Sequence, residues 1–262
     1  MKKRLTKFTQ VAGIMLALVF TFSCSGDDGD EGGGSGSCVG EKGNDIANYR
    51  TVQIGDQVWM AENLDYNVSG GKCYGEGAEV VIGMDDESRL IYATLSNAKI
   101  KANREKYGRL YSWATAMALP DSCVSKAYAE CASQISEKHR GICPSGWHIP
   151  SNDEWETLTN FVGTKPGIKL KATSGWNDVM GKSCNGTDEF GFSALPGGAK
   201  DPITFTSVGY FGGWWSWGPA RPNNTVYGVN IYYRTLNSYL SSDEMSPSDY
   251  LTLLFSVRCV KD

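Results

Sequence analysis

Apolar and polar residues alternate over two short stretches near position 50, Thr51-Val52-Gln53-Ile54 and Gln57-Val58-Trp59-Met60. A period of two is the signature of a half-buried strand. Between them lies Gly55-Asp56, a two-residue loop in which Gly supplies the positive φ of a type II′ turn, so the pair is predicted to be a hairpin. Residues 69–105 carry no clear period and read as polar, irregular chain with an acidic run, Asp85-Asp86-Glu87. From Tyr107 the spacing turns helical: Leu110, Trp113, Ala114 and Met117 recur on one side, and Pro120 stops the run. A second helix is predicted to start at Ser151, whose hydroxyl and Glu154 form a capping box. Trp155, Leu158 and Val162 line its apolar face, and Gly163 is a suitable stop. Both aromatic stripes read as core. Further on the pattern is strand-like. Residues 190–195 run into Gly197-Gly198, residues 212–216 form another short run, Tyr227, Val229, Ile231 and Tyr233 alternate, and residues 251–260 form a last apolar stretch.

The N-terminus changes the picture of location. Met1-Lys2-Lys3-Arg4 is a basic start, and Val11 to Phe22 is a short apolar segment of the secretory signal type, too short for a stable membrane span. Thr21-Phe22-Ser23-Cys24 resembles a bacterial lipobox, which makes Cys24 the expected lipidated first residue of the mature chain. Residues 25–37 contain only Ser, Gly, Asp and Glu, with nothing apolar to offset the entropy of ordering them. They read as a flexible acidic tether, and the acidic run after Cys24 resembles a surface-export signal of bacterial lipoproteins. The expected division is therefore a lipoprotein signal peptide over 1–23, a tether over 24–37 and one domain over 38–262. The location that follows is the outer membrane or cell surface, held by N-terminal lipid.

The domain is long enough to bury one sizeable core. With 31 Gly, 8 Trp, 13 Tyr and 9 Phe and few long helical runs, it is expected to be a loop-rich α+β body packed around aromatic rings. Net charge is −4, and removing residues 1–23 takes away four basic residues, which argues against nucleic acid or anionic lipid as an electrostatic partner.

Catalytic chemistry finds little footing. There is no phosphate-binding Gly loop, nucleophile elbow or H-E-x-x-H. The chain has two histidines. His148 precedes a helix cap with no acid or nucleophile beside it in sequence, and His139 lies in a polar loop; both read as structural. No C-x-x-C occurs, so no metal or cofactor is expected. The carboxylates at 85–87 lack the alternating oxygen ligands of a calcium loop and read as a solvated loop tip.

Several segments together resemble a known family. They are Trp59-Met60-Ala61-Glu62-Asn63-Leu64, residues 107–111 (Lys106 precedes them), Ile142-Cys143-Pro144-Ser145-Gly146-Trp147-His148-Ile149-Pro150, Phe190-Gly191-Phe192-Ser193-Ala194-Leu195-Pro196-Gly197-Gly198, Gly212-Gly213-Trp214-Trp215-Ser216 and Phe255-Ser256-Val257-Arg258-Cys259-Val260. In this order they resemble the Fibrobacter succinogenes major paralogous domain family. The resemblance implies a fold of the C-type-lectin-like and formylglycine-generating-enzyme-like kind: paired terminal strands, two flanking helices and a second small, loop-rich sheet. No segment matches the reactive cysteine pair of formylglycine-generating enzymes, so that activity is not implied. Trp176-Asn177-Asp178 lies in a loop ahead of the middle strands, away from where C-type lectins hold a sugar-binding calcium.

Beyond Cys24, seven cysteines remain, and an exported protein is expected to pair them. Cys143 and Cys259 lie in the two best-matching segments and are paired on that ground. Cys123 and Cys131 flank a short polar loop and are expected to close it. The family often has a cysteine where this chain has Arg104, so the implied partner of Cys73 is missing; Cys38 and Cys184 both remain as substitutes.

Three tryptophans stand in four residues, Trp214, Trp215 and Trp217. The family commonly has a small residue at the last of these positions. On a strand, Trp215 and Trp217 point one way and Trp214 the other. Either one side is exposed, in which case Trp217 or Trp214 with Tyr210, Asn223 and Asn224 forms a sugar-stacking surface, or all three are core. The function expected is a non-catalytic surface lipoprotein that binds a polysaccharide or protein ligand. The alternatives are an assembly component of the envelope without a small ligand and an unrecognised hydrolase.

Overall fold

The structure is a computed structural model and describes residues 38–125, 131, 133–219, 229–237, 244–247 and 253–262. The expected signal peptide, Cys24, the tether, Asn223 and Asn224 lie outside the described residues. The fold is α+β. The hairpin forms as predicted: β1 (Thr51–Ile54) pairs antiparallel with β2 (Gln57–Met60), Ile54 opposite Gln57. Gly55 takes φ +59° in the turn, and a Cβ there would also lie 2.9 Å from the Phe161 ring.

The β2 strand pairs in turn with a short C-terminal strand, Val260–Lys261, through Trp59 and Val260. That strand pairs with β5 (Trp147–His148), and the sheet closes with the terminal strands side by side, as the resemblance implies. The Cys143–Cys259 and Cys123–Cys131 disulfides are present, with Cα atoms 6.0 and 5.9 Å apart. Cys38, not Cys184, takes Cys73; Cys184 stays a buried thiol.

Residues 69–105 depart from the sequence reading. They hold a hairpin, β3 (Val80–Met84) with β4 (Leu90–Ala93), and an eleven-residue helix, α1 (Asn97–Tyr107). The helix has a Ser96 cap and stops at Gly108. Its period was hidden because its buried face is half polar: Ile100 and Tyr107 share it with Asn103 and Arg104. Conversely, the helix expected from Tyr107 shrinks to one turn, α2 (Trp113–Ala116), followed by α3 (Ser122–Ser125). Leu110 and Tyr111 are drawn into bridges with Lys72 and Phe255 instead. The acidic run caps the β3–β4 turn, Asp85 accepting from the backbone of Glu87 and Arg89 at 3.0 and 2.9 Å.

The second predicted helix is α4 (Asn152–Val162), with its capping box at Ser151 and Glu154 and its end at Gly163. Trp155, Leu158 and Val162 are buried, each worth about 1.5–3 kcal/mol of apolar transfer. A short α5 (Pro166–Leu170) follows. Two further sheets complete the body. One orders β4, β3, β7 (Phe205–Thr206) and β6 (Ala199–Lys200); the other orders β10 (Glu244–Pro247), β9 (Val229–Asn237) and β8 (Phe211–Pro219).

The long strand β8 separates two cores. Trp215 and Trp217 pack with Tyr111, Trp113, Ile149 and Phe255 on one side. Trp214 packs with Trp59, Trp155 and Phe192 on the other. Alternation along one strand thus feeds both.

Candidate functional site

The signature segments meet at one side chain. Asn63 donates through Nδ2 to the Tyr107 carbonyl at 2.8 Å and to Ser256 Oγ at 3.2 Å. Its Oδ1 accepts from Trp214 Nε1 and Arg258 Nε, both at 2.9 Å. Every bond the amide can make is made. Arg258 donates further to the Phe192 carbonyl and, at 2.9 Å, to the Ser193 carbonyl, with its guanidinium 4.3 Å from the centre of the Phe192 ring. It is fully buried and has no carboxylate in ion-pair contact among the described residues. Burial pushes its pKa down to about 9, so it remains a cation at neutral pH. The motifs therefore encode a cross-brace that ties the first hairpin, α1, β8 and the C-terminal segment together.

Asn63 also lines a cleft of about 180 Å³ whose walls are charged: Lys42, Arg50, Glu62, Asp65, Arg104, Glu105 and Lys106. The sequence places these far apart, and the fold gathers them. Arg104 sits in the last turn of α1, where Arg104 Nη1 reaches Asp65 Oδ2 at 2.7 Å. Arg109 Nε approaches Asp65 Oδ1 at 3.3 Å from behind, and Arg109 Nη2 donates to the Gly40 carbonyl at 2.9 Å. Gly108 between the two arginines must be glycine: φ is +73°, and a Cβ would lie 2.8 Å from the Leu64 carbonyl. Glu62 accepts from Lys42 and, at 2.7 Å, from Arg50 Nε. Burial favours the neutral Glu62 carboxyl, but those bonds outweigh it and hold its pKa below the ordinary value. For Asp65 burial is the larger influence and raises the pKa against the pull of Arg104 and Arg109. Asp65 Oδ1, Arg104 Nε and Arg109 Nε are buried without a well-directed hydrogen bond.

The tryptophan surface does not form. Trp217 is 8% exposed, and its indole N–H donates to the Ile149 carbonyl at 3.0 Å. Trp214 is 1% exposed and bonded to Asn63. The exposed side expected of β8 is absent because each face of the strand has its own core over it, and each indole N–H finds an acceptor there. Tyr210 is half-buried just before β8 begins, seven positions from Trp217 and on the order of 20 Å away along an extended chain, so the fold does not bring the two together.

His148 is buried, and acids do lie beside it. Nδ1 is 2.8 Å from Asp262 Oδ1 and Nε2 is 2.8 Å from Glu154 Oε1. Glu154 is also the capping-box residue, accepting from the Ser151 backbone at 2.8 Å. Neither partner is evident from sequence, because one acid lies in the first turn of the next helix and the other 114 positions away. The trio fastens α4 to the terminal sheet. His139 Nε2 bonds the Met117 carbonyl at 2.7 Å. Among the described residues one group of metal-type ligands gathers, Cys38, Cys73 and Glu76, and its two sulfurs are spent in a disulfide. Trp176 is buried, its indole bonded to the Ala194 carbonyl at 2.9 Å. No helix among the described residues is long and apolar enough to cross a membrane.

The cleft is not legible in the sequence, because its lining residues lie far apart along the chain. Its one visible signal was Arg104, an arginine at the position where the family resemblance implies a cysteine. A sequence model of the Fibrobacter succinogenes major domain matches residues 52–261. No curated protein and no solved structure matches the chain.

Proposed function

The chain belongs to the Fibrobacter succinogenes major domain family, and from that premise we propose that it is a non-catalytic envelope lipoprotein whose domain binds a ligand in the charged cleft beside Asn63. One observation carries the reading: Arg50 and Lys106, both exposed cations, border a cleft whose buried wall is held by the Asp65–Arg104 ion pair. Preorganised polar walls with adaptable polar rims suit a polar ligand. Among the described residues no histidine or thiol lines the cleft, and its carboxylates Glu62 and Asp65 are held by cations, Glu62 by Lys42 and Arg50 and Asp65 by Arg104 and Arg109. Three disulfides favour an oxidising compartment, in keeping with export and a lipid on Cys24.

The test is retention of the full-length protein on a panel of glycans, envelope polymers and candidate protein partners, with Arg50→Ala and Lys106→Ala alongside. Specific retention weakened by either change is expected. Retention that ignores both changes would remove this cleft as the site. Mass spectrometry of the native protein should find acyl chains on Cys24, and an unmodified Cys24 would refute the anchor.

A second reading, an envelope assembly component without a small ligand, draws on the β3–β4 hairpin. Leu90, Ile91 and Tyr92 on the edge strand β4 and Ile82 on its neighbour β3 are 40–53% exposed there. Silence on every glycan, with a stable stoichiometric complex lost on Tyr92→Asp, would favour it.

A further inference from the structure

We infer that the cleft recognises a carboxylated sugar, a uronate-type residue held by its carboxylate and its ring hydroxyls; this rests on the cleft being the ligand site. Lys42, Arg50, Arg104 and Lys106 line the cleft, opposed by Glu62, Asp65 and Glu105. Two more cations stand behind the wall: Arg109 against Asp65, and Arg258 through the shared Asn63 oxygen. Lining and wall together hold six cations against these three carboxylates and Asp188 beside Arg258, in a chain whose net charge is −4. A local surplus of that sign in an acidic protein draws an anion to this place. The Arg258 charge intensifies it, since it is buried where water does not screen it.

The exposed donors are suitably placed. Arg50 is fixed along one edge by Glu62 at 2.7 Å and the Ala61 carbonyl at 3.4 Å, which orients its guanidinium for a paired contact with a planar carboxylate. Lys106 stands over the Tyr107 ring, 4.9 Å from its centre, an ammonium on a flexible stem at the rim.

Acceptors decide between a simple anion and a sugar acid. Sulfate has no hydroxyl to donate, gains only from the cations and is repelled by Glu62 and Glu105. A uronate ring presents hydroxyl donors to those carboxylates and its own carboxylate to the arginine. The cleft is also smaller than the roughly 300 Å³ floor of drug-sized pockets, which limits it to about one ring. Among the described residues no aromatic side chain lines it, so recognition falls to charge and hydrogen bonds and not to stacking.

Oligogalacturonate and its fully methyl-esterified form differ in the charge of the carboxyl group on each residue and make the test. Titration of the full-length protein with each, at two salt concentrations, should show the acid binding at least tenfold more tightly than the ester, with the advantage shrinking at higher salt. Arg50→Ala and Lys106→Ala should each weaken the acid at least tenfold while leaving the thermal unfolding midpoint within a degree or two. Lys138→Ala, at an exposed position outside the cleft lining, is the control and should change nothing. Equal binding of acid and ester overturns the uronate assignment and leaves a neutral-ligand cleft standing. Binding of inorganic phosphate or of sulfated glycan with no binding of oligogalacturonate overturns the sugar-acid assignment in favour of a plain anion site. Tight acid binding that neither cleft variant weakens overturns both this inference and the cleft itself.

Discussion

Arg104 Nη1 stands 2.7 Å from Asp65 Oδ2, with the two side chains 9% and 3% exposed, and Arg109 shares the same carboxylate from the other side. One acid thus balances two buried guanidiniums. Removing the acid leaves Arg109 without a carboxylate and Arg104 with only the half-exposed Glu105 at 3.4 Å, whereas removing one arginine leaves a simple pair.

Asp65→Ala should therefore cost about 3–5 kcal/mol, the range for breaking a buried pair from one side. Urea unfolding should show the loss, and Asp65→Ala combined with Arg104→Met should recover part of it. An unchanged midpoint in Asp65→Ala would contradict the buried arrangement.

His148 predicts a pH dependence. Its two ring nitrogens both face carboxylate oxygens, and both can donate only from the protonated ring. Burial opposes that charge, but Glu154 and Asp262 outweigh it and raise the pKa above 6.5. A raised folded value gives stability that is complete below the unfolded value near 6.5 and lost as pH rises through the folded one. Glu154 moves oppositely: burial would raise it, but its bonds from His148 and Ser151 prevail and lower it from 4.5. Its contribution is present above 4.5 and lost as pH falls through the folded value. The stability difference between the parent and His148→Gln should thus be largest between pH 4.5 and 6.5 and shrink on the alkaline side. A difference flat across pH 5–9 would contradict the charged trio.

Trp217→Ala opens a cavity beneath β8 and should cost about 3–5 kcal/mol, with Trp217→Phe milder. Glycan retention by Trp217→Phe, compared at equal folded fraction, should match the parent. Lost retention in a fully folded Trp217→Phe would restore that ring as a binding platform.

The disulfides should differ in worth by loop length. The Cys143–Cys259 bridge spans 116 positions and Cys123–Cys131 spans 8. Chain entropy assigns them about 5 and about 2.5 kcal/mol respectively. Paired Cys→Ala variants measured by chemical unfolding should keep that order, and the reverse order would mean that native-state enthalpy dominates.

Legibility followed the range over which each feature is encoded. The Gly55 turn and the Ser151 box were readable because the residues that make them lie within four positions. The helix containing Ile100 and Arg104 was not, because its buried face is polar and is satisfied by Asp65, which no local window contains. Arg258 and Asn63 were legible as parts of signatures, but their meaning as a cross-brace appears only when Trp214 and Ser256 arrive at the same amide. Trp217 shows the same gap: alternation says which way it points relative to Trp214, and only a second core decides that both directions are covered.

By itself the amino-acid sequence determined the α+β class, the first hairpin, the capped second helix, two of the three disulfides and the family, because each rests on neighbouring residues or on motifs read as wholes. The tertiary structure alone decided the pairing of Cys38 with Cys73, the burial of every indole on β8 and the cleft with its surplus of positive charge. The reason is physical. Burial and electrostatic potential are sums over everything nearby in space, and Lys42, Arg50, Arg104 and Arg258 become neighbours only after the chain has folded.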